Sequence, residues 1–94
     1  MPVPENALVV TNIDALLGHT VIEAMRWETD GWEMFTKPPA EMEKKEMRVV
    51  SIATLLAIDT SLQVTLGLDV ETGVWRESAD DDWTPMSAKT DEGY

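Results

Sequence analysis

The sequence predicts one small α+β domain, an antiparallel sheet with two short central helices packed on one face. Three observations carry that prediction. Residues 20–28 and 32–36 are β-rich runs joined by Thr29-Asp30-Gly31, a hairpin signature. Residues 48–68 form the richest apolar block in the chain, and their spacing of three and four is helical. The length of 94 residues with a 44% apolar share suits a single globular core.

The elements follow in order. Pro2 and Pro4 keep the first residues extended. Residues 7–11, Ala-Leu-Val-Val-Thr, form a first strand. Residues 12–18 contain Ile13, Leu16 and Leu17 and end on Gly18, which fits one helical turn or a tight loop. In the strand over 20–28, Val21, Met25 and Trp27 lie on one side, with Ile22 and Ala24 on the other. Its turn, Asp30-Gly31, is expected to take positive φ. Apolar residues on both faces place this hairpin centrally, with one face under the helices and the other partly covered.

Lys37-Pro38-Pro39 stops the return strand. Residues 40–47 are charged and form a helical turn or a surface loop. Val49 and Val50, both β-branched, make a short strand. Ser51 then caps a helix, its hydroxyl accepting a first-turn N–H. Ile52, Leu55, Leu56 and Ile58 share one face of that helix. Asp59 ends it and caps a second helical segment from Thr60, turning Leu62, Leu66 and Val64 inward. Gly67 fits the left-handed position that closes a helix. A strand over 61–66 is the rival reading, with Leu62, Val64 and Leu66 alternating with polar residues. The cap at Asp59 and the stop at Gly67 favour the helix. Residues 69–73 form an acidic turn, and 74–78 and 83–86 form two edge strands joined by 79–82. Pro85 is tolerated only at an edge. Residues 87–94 have little to bury and are expected to be a mobile tail, leaving 1–86 as the domain.

Charge narrows the partners. Eighteen acidic residues against seven basic ones give a formal charge of −11. The basic residues are mostly flanked by acids, as in Glu43-Lys44-Lys45-Glu46, so no basic stripe exists for a nucleic-acid backbone or an anionic membrane. A basic protein surface is electrostatically welcome, and solubility is the plainer use of the same charge. The chain has no cysteine, which excludes disulfides and thiolate chemistry. Residues 1–6 lack a basic segment followed by an apolar one, and no run approaches a membrane span of about 20 residues. The expected setting is soluble and cytoplasmic.

No catalytic constellation emerges. His19 is the only histidine, and no cysteine or elbow-type serine offers it a nucleophile to activate. Glu77, Asp80, Asp81 and Asp82 raise the question of a cation, but a calcium loop needs alternating ligands, a central glycine and a distal Glu. Asp69-Val70-Glu71-Thr72-Gly73 has the alternation alone. A solvated hairpin tip accounts for the acidic run. Trp27, Trp32, Trp75 and Trp83 fit a core better than a binding surface, though one left exposed would anchor an interface. The expectation is a non-enzyme without metal or cofactor.

Three stretches resemble a known family, immunity protein family thirty-three of bacterial polymorphic toxin systems. Asp30-Gly31-Trp32-Glu33-Met34-Phe35 is similar to its Asp/Ser-Gly-Trp-x-Phe-Phe hairpin. Val49-Val50-Ser51-Ile52-Ala53-Thr54-Leu55-Leu56-Ala57-Ile58-Asp59-Thr60-Ser61-Leu62 is similar to its strand, helix and Asp-Pro-Ser-Leu-type start of a second helical turn. Gly73-Val74-Trp75-Arg76-Glu77, an acidic turn and Trp83 resemble its closing hairpin. Together they span residues 7–83. The chain departs from the family at Lys37-Pro38-Pro39, where members continue with Gly, an acidic residue and Tyr. The resemblance implies an α+β fold, no cofactor, no catalytic residue, and neutralisation of a cognate toxin by binding. On that reading Asp30, Trp32, Glu77, Asp80, Asp81, Asp82 and Trp83 are the expected partner contacts, and the partner is a toxin with a basic surface. The alternative is a phage or mobile-element inhibitor that mimics nucleic-acid charge, which requires a continuous acidic face.

Overall fold

Alternating side chains on a central hairpin set the architecture. The computed structural model describes Pro4 and residues 6–86; the tail expected over 87–94 lies outside the described residues. Its strands are β1 (Leu8–Asn12), β2 (Glu23–Glu28), β3 (Gly31–Phe35), β4 (Met47–Ser51), β5 (Thr72–Trp75) and β6 (Thr84–Pro85). Helix α1 (Ile13–Leu16) follows β1, and α2 (Ile52–Ile58) follows β4. A 3-10 helix spans Thr60–Gly67, and 3-10 turns at Pro39–Glu41 and Lys44–Glu46 link β3 to β4.

The strands form one six-stranded sheet in the order β4-β1-β3-β2-β5-β6. Every neighbouring pair is antiparallel except β1 with β3. That parallel pair arises because the chain leaves β1 through α1, enters β2 one place further out, and folds back so that β3 fills the gap. A parallel pair needs such a crossover, since no tight turn can join its ends.

One sheet face is covered. Val9, Trp32, Met34 and Ala24 project from β1, β3 and β2 into a core with Ala15 of α1, Ile52 and Leu55 of α2, and Leu62 of the 3-10 helix. Burying each larger apolar side chain contributes about 1.5–3 kcal/mol. Helix α2 starts where Ser51 Oγ accepts the Thr54 N–H at 3.1 Å. Asp59 ends α2, and its Oδ1 accepts the Ser61 N–H at 2.9 Å to start the 3-10 helix.

Several expectations change. The hairpin turn closes without positive φ at Asp30 or Gly31; a register shift between Arg26 and Glu28 makes Trp27 the extra, bulged residue. Gly67 does not take the left-handed position, which Gly18 and Glu71 adopt instead, at φ 99° and 68°. Val64 faces solvent, while Thr65 is buried and donates to Leu62 O at 2.6 Å. The segment is helical, as expected, but in the tighter 3-10 form, whose three-residue repeat stacks Leu62 over Thr65. Strand β5 lies inside the sheet between β2 and β6, so β6 with Pro85 is an edge and β5 is not.

Candidate functional site

The register defines a second sheet face, opposite the helices. Residues paired across neighbouring strands share a face. One row therefore runs Val49, Val10, Glu33, Met25, Gly73 across β4, β1, β3, β2 and β5. Another runs Phe35, Glu23, Trp75, Thr84. A third joins Ser51, Leu8, Gly31 and Glu28, with Trp27 bulging beside it. Val49 is 61% exposed, Leu8 50%, Trp27 49% and Trp75 40%. Phe35 is the one buried apolar side chain on these rows, at 3% exposure. Gly73 lets neighbouring side chains lie flat: a Cβ there would sit 2.6 Å from Met25 Sδ, 2.9 Å from Ala24 O and 3.0 Å from Met86 Sδ.

Two carboxylates interrupt this apolar surface. Glu23 and Glu33 are diagonal neighbours on β2 and β3, both half-buried. Burial, and then the charge of Glu33, push the Glu23 carboxyl above the usual carboxylate range. The ion pairs among the described residues, Lys37–Glu46, Lys45–Glu43 and Arg76–Asp59, involve neither.

The covered face holds two arginines that sequence reasoning passed over. Arg26 is fully buried. Its Nη2 donates to Thr29 O at 2.6 Å, its Nη1 to Leu68 O at 2.9 Å and its Nε to Glu28 O at 3.4 Å. The guanidinium stands 4.3 Å from the Trp32 ring centroid. Arg76 is 3% exposed and donates from Nε to Val21 O at 3.0 Å and from Nη2 to Ser61 Oγ at 3.1 Å. It lies 3.8 Å from Asp59 Oδ2 and 4.1 Å over Trp83. Burial lowers the Arg76 pKa, and the charges of Asp59 and Asp81 oppose that. These arginines tie the turn and the 3-10 helix to the sheet.

The expected contact residues do not form one patch. Trp32 is 1% exposed, and its indole N–H donates to Thr65 O at 3.3 Å, so it belongs to the core and not to a surface. The expectation of Trp32 as a contact is corrected. Its inward position on β3, beside Val9 and Arg26, fixes it there. Asp30 is exposed in the β2–β3 turn, where its carbonyl accepts the Leu8 N–H at 2.9 Å. Glu77, Asp80, Asp81 and Asp82 are exposed on the β5–β6 loop, and Trp83 is half-buried under Arg76. Since Trp75 pairs with Glu23 and Gly31 with Glu28, that loop and Asp30 lie at opposite ends of the strands. Sequence reasoning missed Leu8, Glu23, Glu33, Val49 and Trp75 as a shared surface; the signal available was apolar residues on both sides of the strands.

His19 is exposed after Gly18. No group of three or more His, Asp or Glu side chains among the described residues is placed to hold a metal ion, and no described helix is long and apolar enough to cross a membrane. Fold and surface together define a small acidic α+β protein with one sheet face covered by helices and the other bearing exposed apolar residues. Comparison with protein-family models, curated proteins and solved structures finds no match.

Proposed function

We propose that the protein is an acidic binding protein of the immunity type, which neutralises a cognate bacterial toxin by holding and occluding it. The observation that carries this reading is the sheet face where Leu8, Trp27, Val49 and Trp75 are exposed, on a chain of net charge −11. Large apolar side chains exposed together on one sheet face of a small protein mark interaction sites. The resemblance of residues 30–35, 49–62 and 73–83 to the immunity family supports the same reading. The acidic loop at Asp80, Asp81 and Asp82 would steer a basic toxin toward the protein, raising the association rate more than the final affinity. The interleaved apolar side chains favour this over a charge mimic of nucleic acid, which calls for an unbroken row of carboxylates.

Expression of the chain with the toxin domain encoded beside its gene should restore host growth. Growth arrest that persists, or a neighbourhood without a toxin gene, overturns the reading. Replacing Asp80, Asp81 and Asp82 together by Asn should slow association about tenfold at low salt and flatten its salt dependence. Stopped-flow mixing across a salt series measures both.

A further inference from the structure

The sheet face opposite the helices specifies the chemistry of what it takes. Its apolar residues fall into two groups: Leu8, Val10 and Val49 on β1 and β4, and Met25, Trp27 and Trp75 on β2 and β5. Glu33 on β3 stands between the two groups, and Glu23 lies within the second, paired with Trp75 and diagonal to Glu33. A wholly apolar occupant would strand both carboxylates away from water, at a desolvation cost no contact on that occupant would repay. A second copy of this chain docked face to face would bring four carboxylates together, and each copy already carries a formal charge of −11. An occupant with cations between apolar side chains meets every requirement at once.

We propose that the open face formed by β4, β1, β3, β2 and β5 is a docking surface for a protein segment presenting arginine flanked by apolar residues, with the guanidinium received between Glu23 and Glu33. Arginine suits the position because its planar fork reaches two carboxylates and stacks on an aromatic ring. Trp75, the register partner of Glu23 and 40% exposed, supplies that ring. Burial, and then the charge of Glu33, raise the Glu23 pKa, and a cation seated between the two carboxylates opposes both effects. The inference rests on the binding-protein reading and assigns its contact to this face, with the Asp80, Asp81 and Asp82 loop left to steering.

The test uses a short synthetic peptide in which arginine alternates with leucine, and the same peptide with citrulline in place of arginine. Titration into the isotopically labelled full chain, followed by amide chemical shifts, should perturb Leu8, Val10, Glu23, Met25, Glu33 and Trp75. The citrulline peptide should bind about tenfold more weakly. The double variant Glu23→Gln, Glu33→Gln should lose the same factor while keeping its fold, shown by unchanged circular dichroism. The triple Asn variant of the Asp80, Asp81 and Asp82 loop should keep the equilibrium affinity. Equal binding of both peptides, shifts confined to the loop or the helices, or a wild-type dimer abolished by Val49→Lys overturns the proposal. Toxin neutralisation that persists undiminished in the Glu23→Gln, Glu33→Gln variant overturns the interface while leaving the immunity reading standing. Peptide binding at this face by a chain that rescues no toxin does the reverse.

Discussion

Glu23 shows how one half-buried carboxyl can cost a fold stability. Its carboxyl is raised above the ordinary range, chiefly by burial and then by Glu33. In the unfolded chain it titrates normally, so between the two pKa values the folded state holds more protons. Stability contributed by this group is therefore present at acid pH and is lost as pH rises through its folded pKa. Glu23→Gln should stabilise the protein at neutral pH, and the gain should shrink as pH falls through the carboxylate range. Urea midpoints of the two proteins across pH measure this; a difference that does not change with pH contradicts the assignment. Such a cost is common where a surface is kept for a partner. Arg26 illustrates the opposite case. Sequence alone gives no reason to bury a charged side chain beside Ala24, because its partners are the carbonyls of Glu28, Thr29 and Leu68, fixed only once the chain has folded.

At the scale of elements, capping chemistry was the most legible feature. Ser51 and Asp59 are short-range acceptors whose partners lie two and three residues away, so their roles can be read directly from the sequence. The central hairpin was legible for the same reason. The geometry of its turn was not, because the bulge at Trp27 is set by the register of β2 against β3, which no local pattern announces. Trp32 stands one residue past the hairpin turn, where nothing local distinguishes surface from core; the parallel pairing of Val9 with Trp32 places it in the core. Asp59 does more than Ser51. Its Oδ1 caps the 3-10 helix and also accepts the Ser61 hydroxyl at 2.6 Å, while its Oδ2 faces buried Arg76. Ser51→Ala should cost about 1 kcal/mol, the ordinary loss of a cap. Asp59→Ala should cost clearly more, since it also leaves the Arg76 charge without its carboxylate. Equilibrium unfolding of both variants decides the order, and equal losses would show that the Arg76 contact is inert.

For the molecule as a whole, residue patterning foretold the fold class and composition the charge, while the location of the face opposite the helices depended on strand order. A sequence shows which side chains alternate; it does not show that β4, β1, β3, β2 and β5 present their second faces together. The charge also acts on the entire fold. With a formal charge of −11 and few ion pairs among the described residues, the compact state carries its own repulsion. Added sodium chloride, up to physiological ionic strength, should therefore raise the melting temperature by screening that repulsion. A melting temperature that drops over the same range would mean that attractive pairs dominate.

The placement of β1 between β3 and β4 has a consequence for synthesis. Strand β1 has no neighbour made before it: its flanking partners emerge only with residues 31–35 and 47–51. The hairpin of β2 and β3, whose contacts are near in sequence, can assemble first and act as a template. Until then Leu8, Val9 and Val10 lack the neighbours that flank them in the sheet.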